Sequence, residues 1–298
     1  MRIGFDYGGT KIAGIALDED GQTRATGRVP TPRHDYAAGL AAIVGLAADL
    51  EAEAGRAATS IGIGVPGSVD REAGQIALGN SVWLHGQDLR GDLAARLGRP
   101  VSIANDANCF ALSEAVDGAG AGARVVFGAI LGTGVGGGLV VNGTLIEGVN
   151  AIGGEWGHMP LPTPTDDERP GPICSCGVAG HCEAWLSGPS LAADHARANG
   201  LNAVPSAADV AAAEALGDPA AQATFDRFEN RLARALAAII NVVDPDVIVL
   251  GGGLSNVARI YQNVPPLLEE LVFGPRFNTR LVQNVHGDSS GVRGAAWL

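Results

Sequence analysis

Two strand–turn–strand units of the same design constrain this chain more than any other feature of its sequence. The first has apolar strands over Arg2–Asp6 and Ile12–Leu17, joined by the turn Tyr7–Lys11, and the second, VVFGAILGTGVGGGLVVNG, occupies Val125–Gly143. Glycines and threonine in such a turn let backbone N–H groups and a hydroxyl converge on an anion. One unit alone is also typical of an ordinary tight hairpin. The repetition favours two related domains that each present a hairpin to one polyphosphate.

Composition narrows the class of protein. A length of 298 residues suits two domains, and 46% hydrophobic with 17% charged residues is typical of a globular chain. A net charge of −12 argues against a nucleic-acid surface. We expect no membrane partner, because no apolar run is long enough to span a bilayer and MRIGFDYGG is not a targeting signal. Four cysteines, three of them clustered, fit a reducing cytoplasm better than a disulfide framework.

The first turn contains the only lysine among 20 basic residues, Lys11. Chance is one explanation, and a compact cation beside a phosphate is the other. Asp6, at the strand end, is suited to a hydrated magnesium ion that accompanies phosphates. Near the C-terminus, Asp246–Leu250 has the pattern of a buried strand and runs into the glycine-rich segment Gly251–Asn256. This is a typical place for a nucleotide, although a glycine run alone is weak evidence.

Asp106 follows a third strand, Val101–Ala104, and precedes a helix from about Ala107 to Val116. A carboxylate at a strand's C-terminal end projects towards the ligand cleft of an α/β sheet, where it can act as a general base. The competing interpretation is a helix N-cap. A separate loop, Asn80–Leu84, mixes polar and aromatic groups as carbohydrate contacts often do, although an ordinary surface loop fits the same pattern.

Cysteine and histidine cluster in residues 153–183. Cys174, Cys176 and Cys182 lie within nine residues, and His158 and His181 stand near them. Thiolate and imidazole at this spacing are what a tetrahedral zinc site needs. Four protein ligands would leave no open position on the metal, which favours a structural site over a zinc hydrolase.

Seven motifs occur in the order seen in the ROK family of sugar kinases: DYGGTK, GVPG, NDANCFALSEA, LGTGVGGGL, GEWGH, CSCGVAGHCE and LGGGLSN. The chain resembles this family over essentially its whole length. NSVWLHGQDL and HGDSSGVRGAAWL are similar to bacterial fructokinases of the manno(fructo)kinase type, whereas NDANCFALSEA and LGTGVGGGL are also similar to N-acetylglucosamine kinases. The resemblance implies an α/β, actin-like (ribonuclease-H-like) fold of two domains with a cleft between them.

The resemblance also implies a reaction and a set of roles. The reaction is ATP-dependent phosphorylation of a hexose hydroxyl at C6 with magnesium, fructose being the first expected substrate and N-acetylglucosamine or glucose the alternative. Asp106 would be the general base. The expected sugar contacts are Asn105, Asp106, Glu155, His158, Glu183, Gly67 and Asn80. The expected nucleotide contacts are Asp6, Gly8, Gly9, Thr10, Lys11, Gly132, Thr133, Gly134, Gly136, Gly252, Gly253 and Asn256.

The metal motif departs from the family pattern CxCGxxGCxE at one position. Here His181 follows Gly180, and Cys182 comes one residue later. If the register is kept, the zinc ligands are His158, Cys174, Cys176 and His181; if the loop adjusts, Cys182 replaces His181. We expect His181, because Cys182 adjoins Glu183, which the pattern directs to the sugar. The second ring nitrogen of His158 would then face a sugar hydroxyl.

The domain boundaries and assembly complete these expectations. Residues 1–118 would form a small domain completed by the helix 288–298, and residues 119–287 a large domain with the zinc loop. The family resemblance implies a homodimer. The same family contains sugar-responsive repressors, but these carry a helix-turn-helix before the first strand, and this acidic chain starts with that strand.

Overall fold

The computed structural model describes residues 1–69, 75–77 and 82–298. Contacts divide them into two compact units. The first unit contains residues 1–122, 138–154 and 285–298, and the second contains residues 123–137 and 155–284. No helix within the described ranges has both the length and the apolar character that crossing a bilayer requires. The domain boundaries given above stay a prediction.

Strands and helices alternate along the chain. The strands are β1 (Arg2–Tyr7), β2 (Lys11–Leu17), β3 (Thr23–Pro30), β4 (Ser60–Val65), β5 (Ser68–Val69), β6 (Ile76–Ala77), β7 (Val101–Asn105), β8 (Val125–Leu131), β9 (Val135–Val141), β10 (Thr144–Leu145), β11 (Val247–Gly251) and β12 (Arg280–Gln283). The helices are α1 (Tyr36–Ala54), α2 (Leu89–Leu97), α3 (Asp106–Val116), α4 (Glu183–Leu186), α5 (Gly188–Ala198), α6 (Ala207–Ala215), α7 (Pro219–Val243), α8 (Arg259–Leu271) and α9 (Ser290–Trp297).

The first unit contains a five-stranded sheet in the order β3-β2-β1-β4-β7. β1 pairs antiparallel with β2 and parallel with β4, and β4 pairs parallel with β7. The carboxyl ends of β1, β4 and β7 therefore lie at one edge of the sheet, which is where open α/β sheets bind ligands. Asp6, Gly67 and Asn105 lie at or just beyond these three strand ends.

The C-terminal helix α9 belongs to the first unit and packs closely on its sheet. Two sheet glycines make this approach possible. A side chain on Gly4 would clash with the backbone of Val292, and one on Gly62 would clash with the backbone of Ala295. The packing therefore depends on two β-strand positions that have no Cβ atom.

A second five-stranded sheet has the order β10-β9-β8-β11-β12. β11 pairs parallel with both β8 and β12, and all five of its residues are buried, as is typical of parallel strands. Helix α7 begins as its sequence predicts, with Asp218 accepting a hydrogen bond from the Ala221 N–H at 2.8 Å and Pro219 in the first turn. Its apolar residues recur at helical spacing and form one stripe, in which Val243 is half-buried and the others are buried: Phe225, Phe228, Leu232, Leu236, Ile239 and Ile240.

Candidate functional site

Asn105 and Asp106 lie where β7 passes into α3. The Asn105 Oδ1 accepts hydrogen bonds from the N–H groups of Ala107 (2.8 Å) and Asn108 (3.3 Å), and its Nδ2 donates to the Gly67 carbonyl at 2.9 Å. Asn105 is therefore the N-cap, and the N-cap interpretation of Asp106 is wrong. Both side chains are able to cap a helix, but only Asn105 has the extended backbone that a cap needs. The Asp106 carboxylate lies in the first turn of α3.

The turn between β1 and β2 is closed by a hydrogen bond from the Gly8 N–H to the Lys11 carbonyl at 3.1 Å. Gly9, Thr10 and Lys11 are exposed. Asp6 precedes the turn at the end of β1. Burial raises the pKa of Asp6 above its usual range, while the Lys11 charge opposes this rise. A desolvated carboxylate beside an exposed, N–H-rich turn fits a magnesium ion that accompanies phosphates.

The corresponding turn between β8 and β9 is fixed by its neighbours in the second unit. The Gly132 N–H donates to the Gly134 carbonyl at 3.0 Å, and the Gly188 N–H donates to the Gly132 carbonyl at 2.8 Å. The next N–H, that of Val135, donates to Glu183 Oε2 at 3.0 Å. The second hairpin is thus attached to the starts of α4 and α5.

A cavity of about 590 Å³ opens beside this second turn, within the second unit. Its wall includes Gly132 and Thr133 of the turn, Gly253 after β11, Pro189 of α5 and residues of α6. Most of the wall is apolar or glycine, as is typical of pockets for small molecules and cofactors. The sequence predicts Gly132, Thr133 and Gly253. No sequence pattern indicated that Pro189 would line a cavity. The alanine-rich sequence of α6 contains no motif that would have indicated it either.

Three other predicted nucleotide residues, Gly252, Gly136 and Asn256, are not among the residues that line the cavity. Gly252 has a φ of 78° and lies so close to the Leu131 carbonyl that a side chain there would clash with it. The Gly136 carbonyl accepts a hydrogen bond from Trp156 Nε1 at 2.7 Å. The Asn256 side chain accepts from Gln283 Nε2 at 3.0 Å, and Asn256 is outside the residues that line the cavity.

Four predicted metal ligands meet in the second unit: His158, Cys174, Cys176 and His181 each offer a ligand atom, and these atoms all lie within 4.8 Å of one another. Cys174 Sγ is 3.7 Å from His158 Nδ1, and Cys176 Sγ is 3.2 Å from His181 Nδ1. Metal–ligand bonds of about 2.0–2.3 Å in a tetrahedron imply ligand separations of roughly 3.3–3.8 Å. The donor set and its spacing therefore fit a structural zinc ion.

Cys182 lies outside this group. It is fully buried, and its Sγ lies 3.8 Å from the Pro160 carbonyl. The backbone N–H of Cys182 also donates to the Met159 carbonyl at 2.8 Å. Its thiol is therefore held against the segment that follows His158.

Glu155 and Glu183 flank the metal group but differ in their contacts. Glu183 Oε1 accepts a hydrogen bond from the Ser175 hydroxyl at 2.6 Å, and Oε2 accepts from the Val135 N–H. Burial by itself would raise the pKa of Glu183, but these hydrogen bonds lower it below its usual range. Burial raises the pKa of Glu155, against the effect of His158. Of the two, Glu183 is the side chain that joins the metal loop to the second hairpin.

A buried ionic group anchors the chain just before the cysteines. Glu168 Oε1 accepts hydrogen bonds from Arg231 Nε at 2.9 Å and Arg234 Nη2 at 2.7 Å, and all three side chains are at least 92% buried. Arg234 Nη1 also donates to the carbonyls of Pro162 and Thr163. These bonds hold residues 162–168, which precede the cysteines, against α7, and none of them involves the four candidate metal ligands.

Asn80 lies outside the described residues. The remaining predicted residues fall into two sets, one in each unit. The first unit contains Asp6, the first hairpin, Gly67, Asn105 and Asp106. The second contains the turn of the second hairpin, the cavity, the metal group, Glu155 and Glu183. The first set offers carboxylates and exposed N–H groups, and the second offers an apolar cavity beside a fixed hairpin.

Comparisons of sequence and structure relate the chain to sugar kinases. Residues 2–298 match the ROK family. The N-acetyl-D-glucosamine kinase of Vibrio vulnificus (strain YJ016) is 41% identical over 302 residues, covering 100% of this chain and 99% of the relative. The crystal structure of the ROK hexokinase from Thermus thermophilus superposes with a TM-score of 0.87 and 30% identity, covering 99% of this chain and 96% of that one. A ROK family glucokinase from Streptomyces griseus, in complex with glucose and AMPPNP, gives a TM-score of 0.79 at 28% identity, with 99% and 97% covered.

The chain belongs to the ROK family. Its α/β fold is the actin-like, ribonuclease-H-like fold that the sequence motifs implied, and this prediction is confirmed. It is an ATP-dependent sugar kinase, which confirms the predicted enzyme class.

Proposed function

We propose that this kinase transfers the γ-phosphoryl group of ATP to the C6 hydroxyl of N-acetyl-D-glucosamine. The observation that carries the proposal is whole-length identity of 41–42% to enzymes named N-acetyl-D-glucosamine kinase. Fructose, the substrate expected first from the sequence, gains no support from these relatives. It becomes the principal competitor, together with glucose.

Asp106 is the proposed general base. A sugar hydroxyl becomes a strong nucleophile only as its proton is removed, and a carboxylate within hydrogen-bond reach can accept that proton. Two features support the assignment. Asp106 stands at the edge of the sheet where β1, β4 and β7 end, and capping of α3 is done by Asn105. Asp106 is thus not required to cap the helix.

The sugar contacts are proposed as predicted: Asn105, Asp106, Gly67, Asn80, Glu155, His158 and Glu183. The contact between Asn105 and the Gly67 carbonyl supports treating these two as one part of the sugar site. His158 turns Nδ1 towards Cys174, so its Nε2 remains the nitrogen for a sugar hydroxyl. The Glu183 carboxylate has lone-pair capacity beyond the three hydrogen bonds it accepts from Ser175, Val135 and Cys174.

The nucleotide is proposed to lie along the two hairpins and in the cavity. Phosphoryl transfer needs mainly alignment and neutralisation of charge, which N–H-rich turns, Lys11 and magnesium at Asp6 would supply. Gly8, Gly9 and Thr10 would contact phosphates from the first unit, and Gly132, Thr133, Gly134 and Gly136 from the second. The cavity, backed by Gly252 and Gly253, would hold the adenosine. Asn256 does not line the cavity, and its proposed role is to hold the segment after β11 in place through its hydrogen bond with Gln283.

The zinc ligands are proposed to be His158, Cys174, Cys176 and His181. Their common spacing supports His181 as the fourth ligand in place of Cys182. A zinc ion at this place would hold the loop in shape, and the loop residues would then orient His158 and Glu183 towards the sugar. The homodimer stays a prediction from family resemblance.

The test is ADP release measured with N-acetylglucosamine, glucose, mannose and fructose at equal ATP. Because one pocket contact is worth about 1–3 kcal/mol, we expect kcat/KM for N-acetylglucosamine to exceed each other value by about 10-fold or more. A preference for fructose would replace the proposed substrate. No turnover with any hexose would defeat the proposed reaction.

A further inference from the structure

The segment directly after β3, Thr31-Pro32-Arg33, lies against the first hairpin; we call residues 31–33 the strap. Thr31 is buried and Arg33 is exposed. No motif pointed to the strap, and the phosphate contacts proposed above do not include it. Its three residues follow a strand that pairs with β2 along its whole length.

The strap supplies a donor to each of three consecutive carbonyl oxygens in the hairpin. The Thr31 hydroxyl donates to the Gly8 carbonyl at 2.7 Å, and Arg33 Nε donates to the Gly9 carbonyl at 2.7 Å. The Thr31 N–H donates to the Thr10 carbonyl at 3.1 Å. These carbonyl oxygens carry partial negative charge and would repel an anion beside the turn. An anion is therefore bound better when the oxygens accept hydrogen bonds from the strap and do not face it.

Because of peptide geometry, fixing these carbonyl groups also orients the neighbouring N–H groups, which can then bind a phosphate. In a planar trans peptide the C=O and the following N–H point in opposite directions. Fixing the carbonyls of Gly8 and Gly9 towards the strap therefore fixes the N–H groups of Gly9 and Thr10 away from it. Neither of these N–H groups has an acceptor among the residues that the structure describes.

Both ends of the strap are held. Pro32 has a restricted φ, and β3 fixes the residue before Thr31. His34, next after Arg33, has a φ of 63°, which is uncommon for a residue other than glycine, and its ring contacts Trp83 at a centroid distance of 5.2 Å. Asp35 then caps α1 through the Ala38 N–H at 2.9 Å. The backbone around the strap is thus specified from both sides.

We propose that Thr31 and Arg33 are positioning residues for the ATP phosphates: they act through the hairpin, holding the N–H groups of Gly9 and Thr10 ready for the polyphosphate. The Arg33 guanidinium also keeps a second positive charge beside the turn that contains Lys11. This inference rests on the proposed role of the first hairpin in binding phosphate.

The test uses matched variants of the full chain, Thr31→Val with Thr31→Ser, and Arg33→Met with Arg33→Lys. Loss of one hydrogen bond to the hairpin is worth about 1.5 kcal/mol, so Thr31→Val and Arg33→Met should raise KM for ATP about 10-fold. Calorimetry should show the same weakening for AMPPNP with magnesium. Thr31→Ser keeps the hydroxyl and should stay within about twofold of the original enzyme, and KM for the sugar should change no more than that in any variant.

The outcomes separate this inference from the function on which it rests. Unchanged ATP KM and AMPPNP affinity in both Thr31→Val and Arg33→Met, in an active kinase, would overturn the role of the strap. An equal rise in KM for sugar and ATP would also overturn it, because it would indicate general damage. If Thr31→Val does not fold, the exposed Arg33 pair decides the matter. An unaltered enzyme without turnover on any sugar would instead defeat the proposed function.

Discussion

The Glu183 carboxylate and the Val135 backbone N–H form a 3.0 Å hydrogen bond that links the metal loop to the second glycine hairpin. Glu183 is the first residue of α4, and Val135 is the first residue of β9. The other carboxylate oxygen accepts from Ser175, which lies between two of the proposed ligands. One side chain therefore relates the geometry of the proposed zinc site to that of the proposed phosphate site.

Replacing Glu183 should affect both substrates. In Glu183→Ala the Val135 N–H loses its acceptor, which costs about 1–3 kcal/mol, so we expect KM for ATP to rise about 10-fold together with KM for the sugar. Steady-state kinetics with each substrate varied in turn measure both values. Ser175→Ala is the control, because it leaves the Val135 contact in place and should keep KM for ATP within about twofold. A Glu183→Ala enzyme altered only in its sugar KM would show that the link to Val135 has no effect on nucleotide binding.

Asp106→Asn should lower kcat by roughly 10²–10⁴-fold while the protein stays folded, since a neutral amide cannot accept the sugar proton. Thermal unfolding should be almost unchanged, because Asn105 still caps α3. In Asn105→Ala, by contrast, loss of the cap should cost about 1 kcal/mol of unfolding free energy. Substantial kcat in Asp106→Asn would remove this residue from the role of base.

His181 and Cys182 should differ in their effect on metal content. Elemental analysis of purified protein should give about one zinc per chain for the unaltered enzyme and for Cys182→Ala, and far less for His181→Ala, since a structural zinc site needs all four ligands. Cys182→Ala should lower the free energy of unfolding while retaining zinc, because the Cys182 side chain is fully buried. Loss of zinc in Cys182→Ala, with retention in His181→Ala, would reverse the proposed ligand set.

Glu168 should make stability depend on pH. Burial alone would raise its pKa, but hydrogen bonds from Arg234, Arg231 and the Thr165 N–H hold the pKa of Glu168 at about 2, against a usual 4.5. A lowered pKa means that the ionised group stabilises the fold above about pH 4.5 and that this contribution is lost as the pH falls towards 2. Between these values the unaltered protein should lose more stability than Glu168→Gln.

At neutral pH, Glu168→Gln should be destabilised by about 3 kcal/mol, because two buried arginines lose their shared counter-charge. Chemical denaturation of both proteins measures the difference. Asp166→Asn, two residues earlier in the chain, is a matched control: its carboxylate is exposed and pairs with Arg169, so the change should cost less than about 1 kcal/mol. If the two substitutions lowered the free energy of unfolding equally, burial would not explain the contribution of Glu168 to stability.

The proposal that the cavity binds the nucleoside of ATP can be tested by filling the cavity with a larger side chain. Ala211 lines the cavity and Ala212, its neighbour on α6, is exposed and does not. Ala211→Phe should raise KM for ATP about 10-fold, since a bulky ring would take the space of the nucleoside, whereas Ala212→Phe should have little effect. Equal ATP KM values in the two variants would move the nucleoside site elsewhere.

The sequence predicted much of the fold because its signals were local. The turns at Gly8 and Gly132 and the cap at Asp218 each lie within a few residues of the pattern that predicted them. The candidate metal ligands around Cys174 likewise come together as their spacing predicted. For the start of α3, the sequence left Asp106 open as either a general base or the N-cap, and the structure has Asn105 as the cap. Two adjacent side chains could make the same bond, and only backbone geometry separates them.

Long-range relationships carried no such signal. Glu168 meets Arg231 and Arg234 across more than 60 residues of sequence, and Arg33 meets Gly9 across 24. Alanine side chains along α6 become a cavity wall only when three other segments fold beside them. Tertiary packing, not local propensity, decides such contacts.

The buried ionic group at Glu168 also bears on what happens to the protein when the proposed metal ion is absent. Because Arg231 and Arg234 bind residues 162–168 without any of the proposed ligands, loss of the proposed zinc ion should disorder Cys174 and Cys176 first. The remainder of the unit would stay folded, so the ion could return without refolding or new synthesis.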